Sequence, residues 1–522
     1  MNNSYPYYEH QIINNFKELI ELNKEKKPND IAFFYNEKGN IINKTYLDFY
    51  QDVVNLHNYL FKHFKNKHIA IIGENSYRYL VLYFAIVLSN NCAVLIDKDL
   101  DKETIERLLK NSDTKDIFYS ESYLGKNAFK GNTIEEIDNF IQEGKLLDNK
   151  YIIDDDKLAV IFFTSGTTGA NKGVMLSQKN ITHNIVSAAS IFLLEGPVLS
   201  VLPYHHAFGL NTSVLAPFFY GYPIFINNSL KTVLKDMQTA KPNTLFLVPL
   251  FVETFYKQIW ANARKTKKDK LLKLLIGTSD KLLKIHIDLR RKLFKSILKE
   301  FGYDLKYIIC GGAYLDEKYI KWFNKIGITI LNGYGITECS PVVSVNRNKQ
   351  IKEGSIGHLC KDFEAKVIDG EIAVKSDSVM LGYYNDQKAT KEVLIDGWFK
   401  TGDFGYIDDD QFLFITGRKK NLIILNNGEN VSPEVIEAKL AHDDAVSEVM
   451  VYAKNNQIIA QIYPEEDYIG NQEYFNNLIY EYNKDEPKNR QIALVMLRTQ
   501  EFPKNTNKKI LRNKVMEEEW KN

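Results

Sequence analysis

The stretch Phe162-Phe163-Thr164-Ser165-Gly166-Thr167-Thr168-Gly169-Ala170-Asn171-Lys172-Gly173 gathers hydroxyls, glycines and a cation directly after an apolar run. Gly166 and Gly169 let backbone N–H groups converge, Thr164, Ser165, Thr167 and Thr168 add hydroxyl donors, and Lys172 adds a mobile positive charge. Such a set makes an anion nest at the end of a strand. It is not a Walker loop, because Lys172 lies between Asn171 and Gly173 and no Ser or Thr follows a Gly-Lys pair. A chance polar turn is the bland alternative, and the density of the cluster argues against it.

Four further stretches carry chemistry-bearing residues. In LPYHHAFGL, 202 to 210, His205 and His206 beside Phe208 read either as a metal pair or as two packed rings, and the lack of a nearby third ligand favours packing. In GGAYLD, 311 to 316, Gly311 and Gly312 permit close backbone approach. In NGYGITECSP, 332 to 341, Tyr334 offers a flat stacking surface or a structural ring, and Thr337 with Glu338 can address a phosphate and its metal. In KTGDFGYIDDDQFLFITGRKKN, 400 to 421, Asp403 can accept both hydroxyls of a ribose, and Arg418 presents a cationic fork. Asp408 to Asp410 read as a hairpin turn, and 409 to 421 read equally as a turn with a solvated basic patch. The lysines of EFPKNTNKKILRNKV, 501 to 515, suit either a cationic tail or charge neutralisation at a reacting phosphorus.

These residues need elements to hold them. His68 to Ile96 reads as strand, turn, helix and strand, with Asn75-Ser76 opening the helix: one βαβ unit and so a mainly parallel, helix-covered sheet. Apolar runs return at 158 to 163, 244 to 250, 305 to 310 and 328 to 335, each followed by a polar or glycine-containing turn, where α/β proteins place ligands. Residues 256 to 300 are helical in period and cationic, a solvated helical pair or a membrane-facing patch. EAKVIDGEIAVKSDSVMLGYY alternates and turns at Gly370 like a small antiparallel sheet, and the last hundred residues mix strands with charged helices.

Composition narrows the classes. A chain of 522 residues exceeds the size of one core, so at least two domains are expected. Lys plus Arg number 67 against 66 Asp plus Glu, which leaves no global field for nucleic acid or acidic lipid. Cys92, Cys310, Cys339 and Cys360 are scattered and suit a reducing compartment as small buried hydrophobes. The start MNNSYPYYEH has no signal-peptide pattern, and YLVLYFAIVL at 79 to 88 is too short to span a bilayer, so a cytoplasmic protein without a transmembrane segment is expected.

The five motifs, in this order over most of the chain, resemble those of the adenylate-forming (AMP-binding) enzyme superfamily, which holds acyl-CoA synthetases, firefly-type luciferases and carrier-protein-loading adenylation domains. The resemblance implies that Thr164, Ser165, Gly166, Thr167, Thr168, Gly169 and Lys172 fold over the β- and γ-phosphates of ATP, with Asn171 where proline is usual. It implies a gate at His206 near the acyl carboxylate. Tyr334 would flank adenine, with Gly311, Gly312, Ala313 and Gly335 also at the nucleotide, Thr337 would touch the α-phosphate, and Glu338 would hold Mg²⁺. Asp403 would bind ribose, Arg418 would assist the nucleotide, and Lys420 would be a hinge. Aligned by Pro503 and Arg512, Lys509 is the implied catalytic lysine, with Asn505 in place of threonine and Lys508 in place of glycine. Phe208-Gly209 lacks the aspartate with which amino-acid-activating relatives pair the substrate amine, so a charged α-amino group would be desolvated without a partner.

The implied fold is α/β: a large N-terminal body, 1 to 417, with stacked parallel-rich sheets and a small β subdomain, plus a mobile C-terminal α+β lid, 418 to 522. The implied reaction joins a carboxylate to AMP and then to coenzyme A. VPLFVETFYKQIW, the basic helices after it and LNNGENVSPEVIE are similar to long-chain acyl-CoA ligases, which points to a medium- or long-chain fatty acid. Three alternatives stay open: transfer to an acyl carrier protein in trans, release of the adenylate, and a nonenzymatic nucleotide-binding protein. A peripheral contact at the inner face of a membrane is open as well.

Overall fold

The His68–Ile96 stretch folds as its pattern requires: strand His68–Ile72, helix Tyr77–Leu88 and strand Cys92–Ile96, the two strands parallel with His68 opposite Cys92. Ser76 starts the helix by accepting a hydrogen bond from the Tyr79 amide, which satisfies one otherwise orphaned N–H. Apart from Arg78 this helix is apolar, and every other residue of it is buried. The computed structural model describes residues 6–123, 130–147, 153–164, 171–425, 430–504 and 510–521. Among them, no helix is long and apolar enough to cross a membrane.

Two large sheets follow. In the seven-stranded sheet the order is Gly382–Tyr383, Lys172–Ser177, Leu158–Thr164, Cys92–Ile96, His68–Ile72, Asp116–Tyr119 and Asn132–Thr133. From Leu158–Thr164 onward the pairings are parallel, whereas Lys172–Ser177 doubles back antiparallel with Thr164 opposite Lys172. A ladder therefore closes the base of the hydroxyl-rich turn. The nine-stranded sheet has a parallel centre of six strands, Thr329–Gly335, Tyr307–Cys310, Thr244–Leu247, Val198–Ser200, Ile224–Ile226 and Ile31–Glu37, and antiparallel strands at both edges.

The cationic middle forms helices Pro249–Lys265, Asp269–Lys284, Arg290–Leu293 and Lys295–Glu300. Their apolar stripe buries Phe255, Leu272, Phe294 and Leu298 with Leu245 and Ile308 of the sheet and Phe323 of helix Glu317–Lys325, as an amphipathic surface helix should. The other face leaves Leu271 50%, Leu274 65% and Ile285 62% exposed among lysines. The expected antiparallel turn is present at Gly370, whose φ of +80° suits only glycine without strain, between Glu364–Ile368 and Glu371–Lys375 of a five-stranded sheet.

By packing, the chain divides into two units: Met1–Leu315 with Tyr319–Ala365 and Val374–Phe399, and Asp316–Lys318 with Lys366–Ala373 and Lys400–Asn522. The architecture is thus a large α/β body of mixed sheets and a small C-terminal α+β part. The domain boundary expected at 417/418, with a hinge near Lys420, is taken up as a proposal below.

The second unit contains a three-stranded sheet, Val446–Lys454, Gln457–Pro464 and Ile492–Leu497, whose core includes Ile436, Leu440, Ala460, Ile462 and Phe475. Its C-terminal segment is tied down by Arg512, which donates to the Val451 carbonyl at 3.0 Å and to both oxygens of Glu437, the contact to Oε1 being 2.6 Å. Burial raises the Glu437 carboxyl above its usual range, and the Arg512 charge pulls the other way. Removing Arg512 raises it further, so ionised Glu437 destabilises the fold as pH climbs. Arg512→Ala should cost about 3 kcal/mol, the order found when a buried pair loses one partner, and the loss in urea unfolding of the full chain should be larger at pH 8 than at pH 5. Equal losses at both pH values would show that Glu437 is not the cause.

Candidate active site

Three adjacent parallel strands end on one rim. Leu247 pairs with Cys310 and Cys310 with Asn332, so Val248, Gly311-Gly312-Ala313 and Gly333-Tyr334-Gly335 follow side by side, the last still paired antiparallel with the Val342–Val345 strand. A Cβ on Gly311 would sit 3.2 Å from Phe208 Cζ and 3.4 Å from the Gly333 carbonyl oxygen. Gly312 has φ +84° and would bring a Cβ to 3.6 Å from Val248 Cγ1. The rim is therefore flat because it has no side chains to spare, and a planar ligand can approach the backbone there. Phe208 opens a wide π-helical segment, Phe208–Leu215, a rare geometry that is frequent at functional sites.

His205 and His206 precede it. Their ring centroids are 4.2 Å apart and tilted by 56°, which is the packed-ring reading. The His205 Nε2 lies 3.5 Å from Asp97 Oδ2, but burial, helped by the Lys98 charge, pushes the imidazole down to about 3, so it is neutral near pH 7. Among the described residues no group of three His, Cys, Asp or Glu is arranged to hold a metal ion by itself.

Thr337, Glu338 and Cys339 form a short 3-10 turn after the Thr329–Gly335 strand. Two buried asparagines clamp it. Asn184 donates to the carbonyls of Cys339 at 3.0 Å and Val342 at 2.8 Å and accepts from the Val342 amide at 3.1 Å, while Asn211 donates to the Ser340 carbonyl at 3.1 Å. Held in this way, Glu338 accepts a hydrogen bond at Oε1 from the Tyr383 hydroxyl at 2.8 Å. The other side of Tyr383 meets Lys172, whose Nζ is 4.6 Å from the ring centroid, within cation–π range. Burial, and then the Glu338 charge, raise the Tyr383 phenol well above its usual range, so it stays protonated and is the donor. Reading the motifs misses Tyr383, Asn184 and Asn211. The one sequence signal available is that Asn211 lies in a largely apolar stretch, FGLNTSVL; Asn184 sits in the half-polar helix Gln178–Ala189 and carries none.

The donor set fits a magnesium ion bound with a nucleotide. Mg²⁺ is held by one or two carboxylates while phosphates and water supply the rest, and Glu338 offers one such carboxylate on a fixed turn. Covalent catalysis by cysteine does not fit: all four cysteines are buried, and burial raises every thiol, Cys339 further through Glu338.

The remaining candidates belong to the second unit. Asp403 lies in strand Trp398–Ile407 opposite Arg418 of strand Leu413–Arg418, with Arg418 Nε 2.9 Å from Asp403 Oδ1 and the carboxylate only 3% exposed. Glu371 fixes this corner by accepting from the Gly402 amide at 3.0 Å and from Lys419 Nζ at 2.7 Å. The expected ribose acceptor and cationic fork are thus brought together as an ion pair. Asp408 sits in the hairpin turn between these strands, its amide donating to the Phe412 carbonyl. Lys420 lies in a short 3-10 turn, Lys419–Asn421. Ser165, Gly166, Thr167, Thr168, Gly169, Asn505, Lys508 and Lys509 lie outside the described residues. What is described is the base of the Lys509 segment: Lys504 bridges Ile510, the Leu511 amide donates to the Pro503 carbonyl at 2.8 Å, and Glu448 holds the Phe502 amide at 3.0 Å as well as Lys504 Nζ.

Residues 20–384 match the AMP-binding enzyme family, and residues 420–520 match the AMP-binding enzyme C-terminal domain. Among curated proteins, the long-chain-fatty-acid–CoA ligase FadD15 of Mycobacterium bovis is 32% identical over 311 residues, 56% of this chain and 52% of that one. The chain spans about half the length of this relative. The 2-succinylbenzoate–CoA ligase of Listeria innocua is 25% identical over 499 residues, 94% of this chain and 97% of that one. Among solved structures, the anthranilate CoA ligase AuaEII with anthranoyl-AMP shares the fold at a TM-score of 0.79 and 17% identity, covering 99% of each chain. The o-succinylbenzoate CoA synthetase of Bacillus subtilis, solved with ATP and a magnesium ion, does so at 0.73 and 22%, covering 96% of this chain and 99% of that one. Since the family match runs through most of the chain and resumes in its C-terminal part, this chain belongs to the AMP-binding enzyme family.

Proposed function

We propose that the protein activates a medium- or long-chain fatty acid with ATP and passes the acyl group to coenzyme A. The carboxylate oxygen attacks the α-phosphorus, the bond to the departing pyrophosphate breaks, and the mixed anhydride with AMP remains bound. The coenzyme A thiolate then attacks the acyl carbon and AMP leaves. No protein nucleophile is required, in keeping with four buried, raised thiols. The observation that carries the reading is the rim of the first unit, where the strand through Gly333 leads directly into the turn bearing Thr337 and Glu338, beside the Gly311-Gly312 end of the neighbouring strand.

The residues take these roles in the proposal. Lys172, Thr164 and the hydroxyl-rich turn hold phosphate oxygens, Thr337 orients the α-phosphate, and Glu338 would hold Mg²⁺, which when bound neutralises phosphate charge. His206 and Phe208 stand beside the acyl carboxylate. Asp403 and Arg418 take the ribose and the nucleotide, and Lys509 stabilises the charge that builds on the attacked phosphorus oxygens. Residues 418–522 would turn about Lys420 between the two half-reactions. The basic helices with exposed Leu271, Leu274 and Ile285 would meet an amphipathic acyl donor at its source, a lipid surface being one such place. A second reading, an aromatic carboxylic acid, is favoured by the Listeria relative, which matches almost end to end.

Carboxylate-dependent exchange of labelled pyrophosphate into ATP separates an enzyme from a nucleotide-binding scaffold. Lys509→Ala should lower that exchange about 10²- to 10³-fold, as loss of one preorganised charge donor does, yet retain thioester formation from supplied acyl-AMP; undiminished exchange would remove Lys509 from the first step. A matrix of acids against coenzyme A and acyl carrier protein separates the substrates and acceptors. For a fatty acid ligase, KM should fall about fourfold per added CH₂ up to the tunnel's end, following about 0.8 kcal/mol per buried CH₂. Turnover of 2-succinylbenzoate with no response to chain length would replace the fatty acid with the aromatic reading.

A further inference from the structure

Tyr383 stands between two opposite charges that the proposed function needs separately. It occupies the two-residue strand Gly382–Tyr383, which pairs with the Lys172–Ser177 strand with Tyr383 opposite Val174. The Leu381 amide donates to the Met175 carbonyl at 2.9 Å and the Tyr384 amide to the Gly173 carbonyl at 2.8 Å, so backbone pairing alone sets the ring beside Lys172. On the far side the Met380 amide donates to the Glu338 carbonyl at 2.8 Å, which fixes the Glu338 turn to the same segment. The Tyr383 amide is itself tied to Thr390 Oγ1 at 2.9 Å, and the residue is 6% exposed. Its ring face receives the Lys172 ammonium and its hydroxyl holds the Glu338 carboxylate.

A lysine and a glutamate that contact one and the same buried side chain attract each other more strongly than fully exposed charges do. Paired directly, the lysine would be withdrawn from phosphate and the carboxylate from a cation. We propose that Tyr383 is a positioning residue that keeps Lys172 and Glu338 from forming a direct ion pair, so that each keeps its charge available for the nucleotide and its metal. The phenol can do this because it is amphoteric in shape: its face attracts a cation and its edge donates to an anion. A core tyrosine that merely satisfies its hydroxyl would have no such effect on the lysine. The inference rests on the proposed adenylation reading.

Calorimetric binding of ATP without magnesium tests the lysine side. Tyr383→Leu should weaken Mg²⁺-free ATP binding about tenfold, because Lys172 is now captured by Glu338; adding Glu338→Gln should restore the affinity to that of the unaltered protein. If the double variant binds no more tightly than Tyr383→Leu alone, the inference is wrong. Tyr383→Phe keeps the ring and tests the carboxylate side even if the leucine variant does not fold. It should leave Mg²⁺-free ATP affinity unchanged while raising the half-saturating Mg²⁺ concentration about tenfold, the effect of losing an outer partner of a metal ligand. An unchanged Mg²⁺ requirement would overturn it. Pyrophosphate exchange by the unaltered protein keeps the two levels apart: no exchange there rejects the adenylation reading, whereas normal exchange with no recovery in the double variant rejects only the role of Tyr383.

Discussion

Parallel strand pairing is the constraint from which the site follows. When Thr244–Leu247, Tyr307–Cys310 and Thr329–Gly335 lie parallel and in register, their carboxyl ends and the loops after them must share one edge of the sheet. That edge is where Val248, Gly311, Gly312 and Gly333 crowd so closely that side chains on the glycines would meet neighbouring atoms. In the other large sheet the same rule ends the described strand at Thr164, just before the hydroxyl-rich segment, and the antiparallel return sets Lys172 opposite Thr164. Hydrophobic burial keeps the sheets together, but the hydrogen-bond register decides which residues meet.

Burial then sorts the charges. His205 is neutral although a carboxylate lies 3.5 Å away, because desolvation of the imidazolium outweighs a contact that long. The cysteines are silenced by the same cost. Three buried carboxylates are each held by a cation: Asp403 by Arg418, Glu371 by Lys419 and Glu437 by Arg512. The Asp403 pair fixes the orientation of that carboxylate.

Much of the fold and part of the site could be read from residue patterns. The His68–Ile96 unit, the strands after 158, 305 and 328, the turn at Gly370 and the helical character of 256–300 are all present. The strand expected over 244–250 ends at Leu247, because Pro249 takes the first turn of a helix, a position that suits its fixed φ and missing N–H. The tail of the alternating stretch, Gly382–Tyr383, joins the seven-stranded sheet rather than the small one, since its edge pairing to Lys172–Ser177 is set by a distant strand. Tyr383, Asn184 and Asn211 were illegible as site residues for the same reason. Their partners lie far along the chain, at Glu338, Cys339, Val342 and Ser340, and no local period encodes such a contact.

Residue types and their order determined the chemistry on offer: an anion-binding turn, a carboxylate for a cation, an acceptor for a diol, a basic C-terminal segment and no exposed thiol. Those properties belong to single side chains and short turns, so they survive without coordinates. Tertiary structure alone decided which of them act on one another: that Lys172 and Glu338 share one phenol, that Arg418 holds Asp403, and that His205 is uncharged. Proximity across sheets and depth of burial are consequences of the whole packed chain, and electrostatic coupling depends on both.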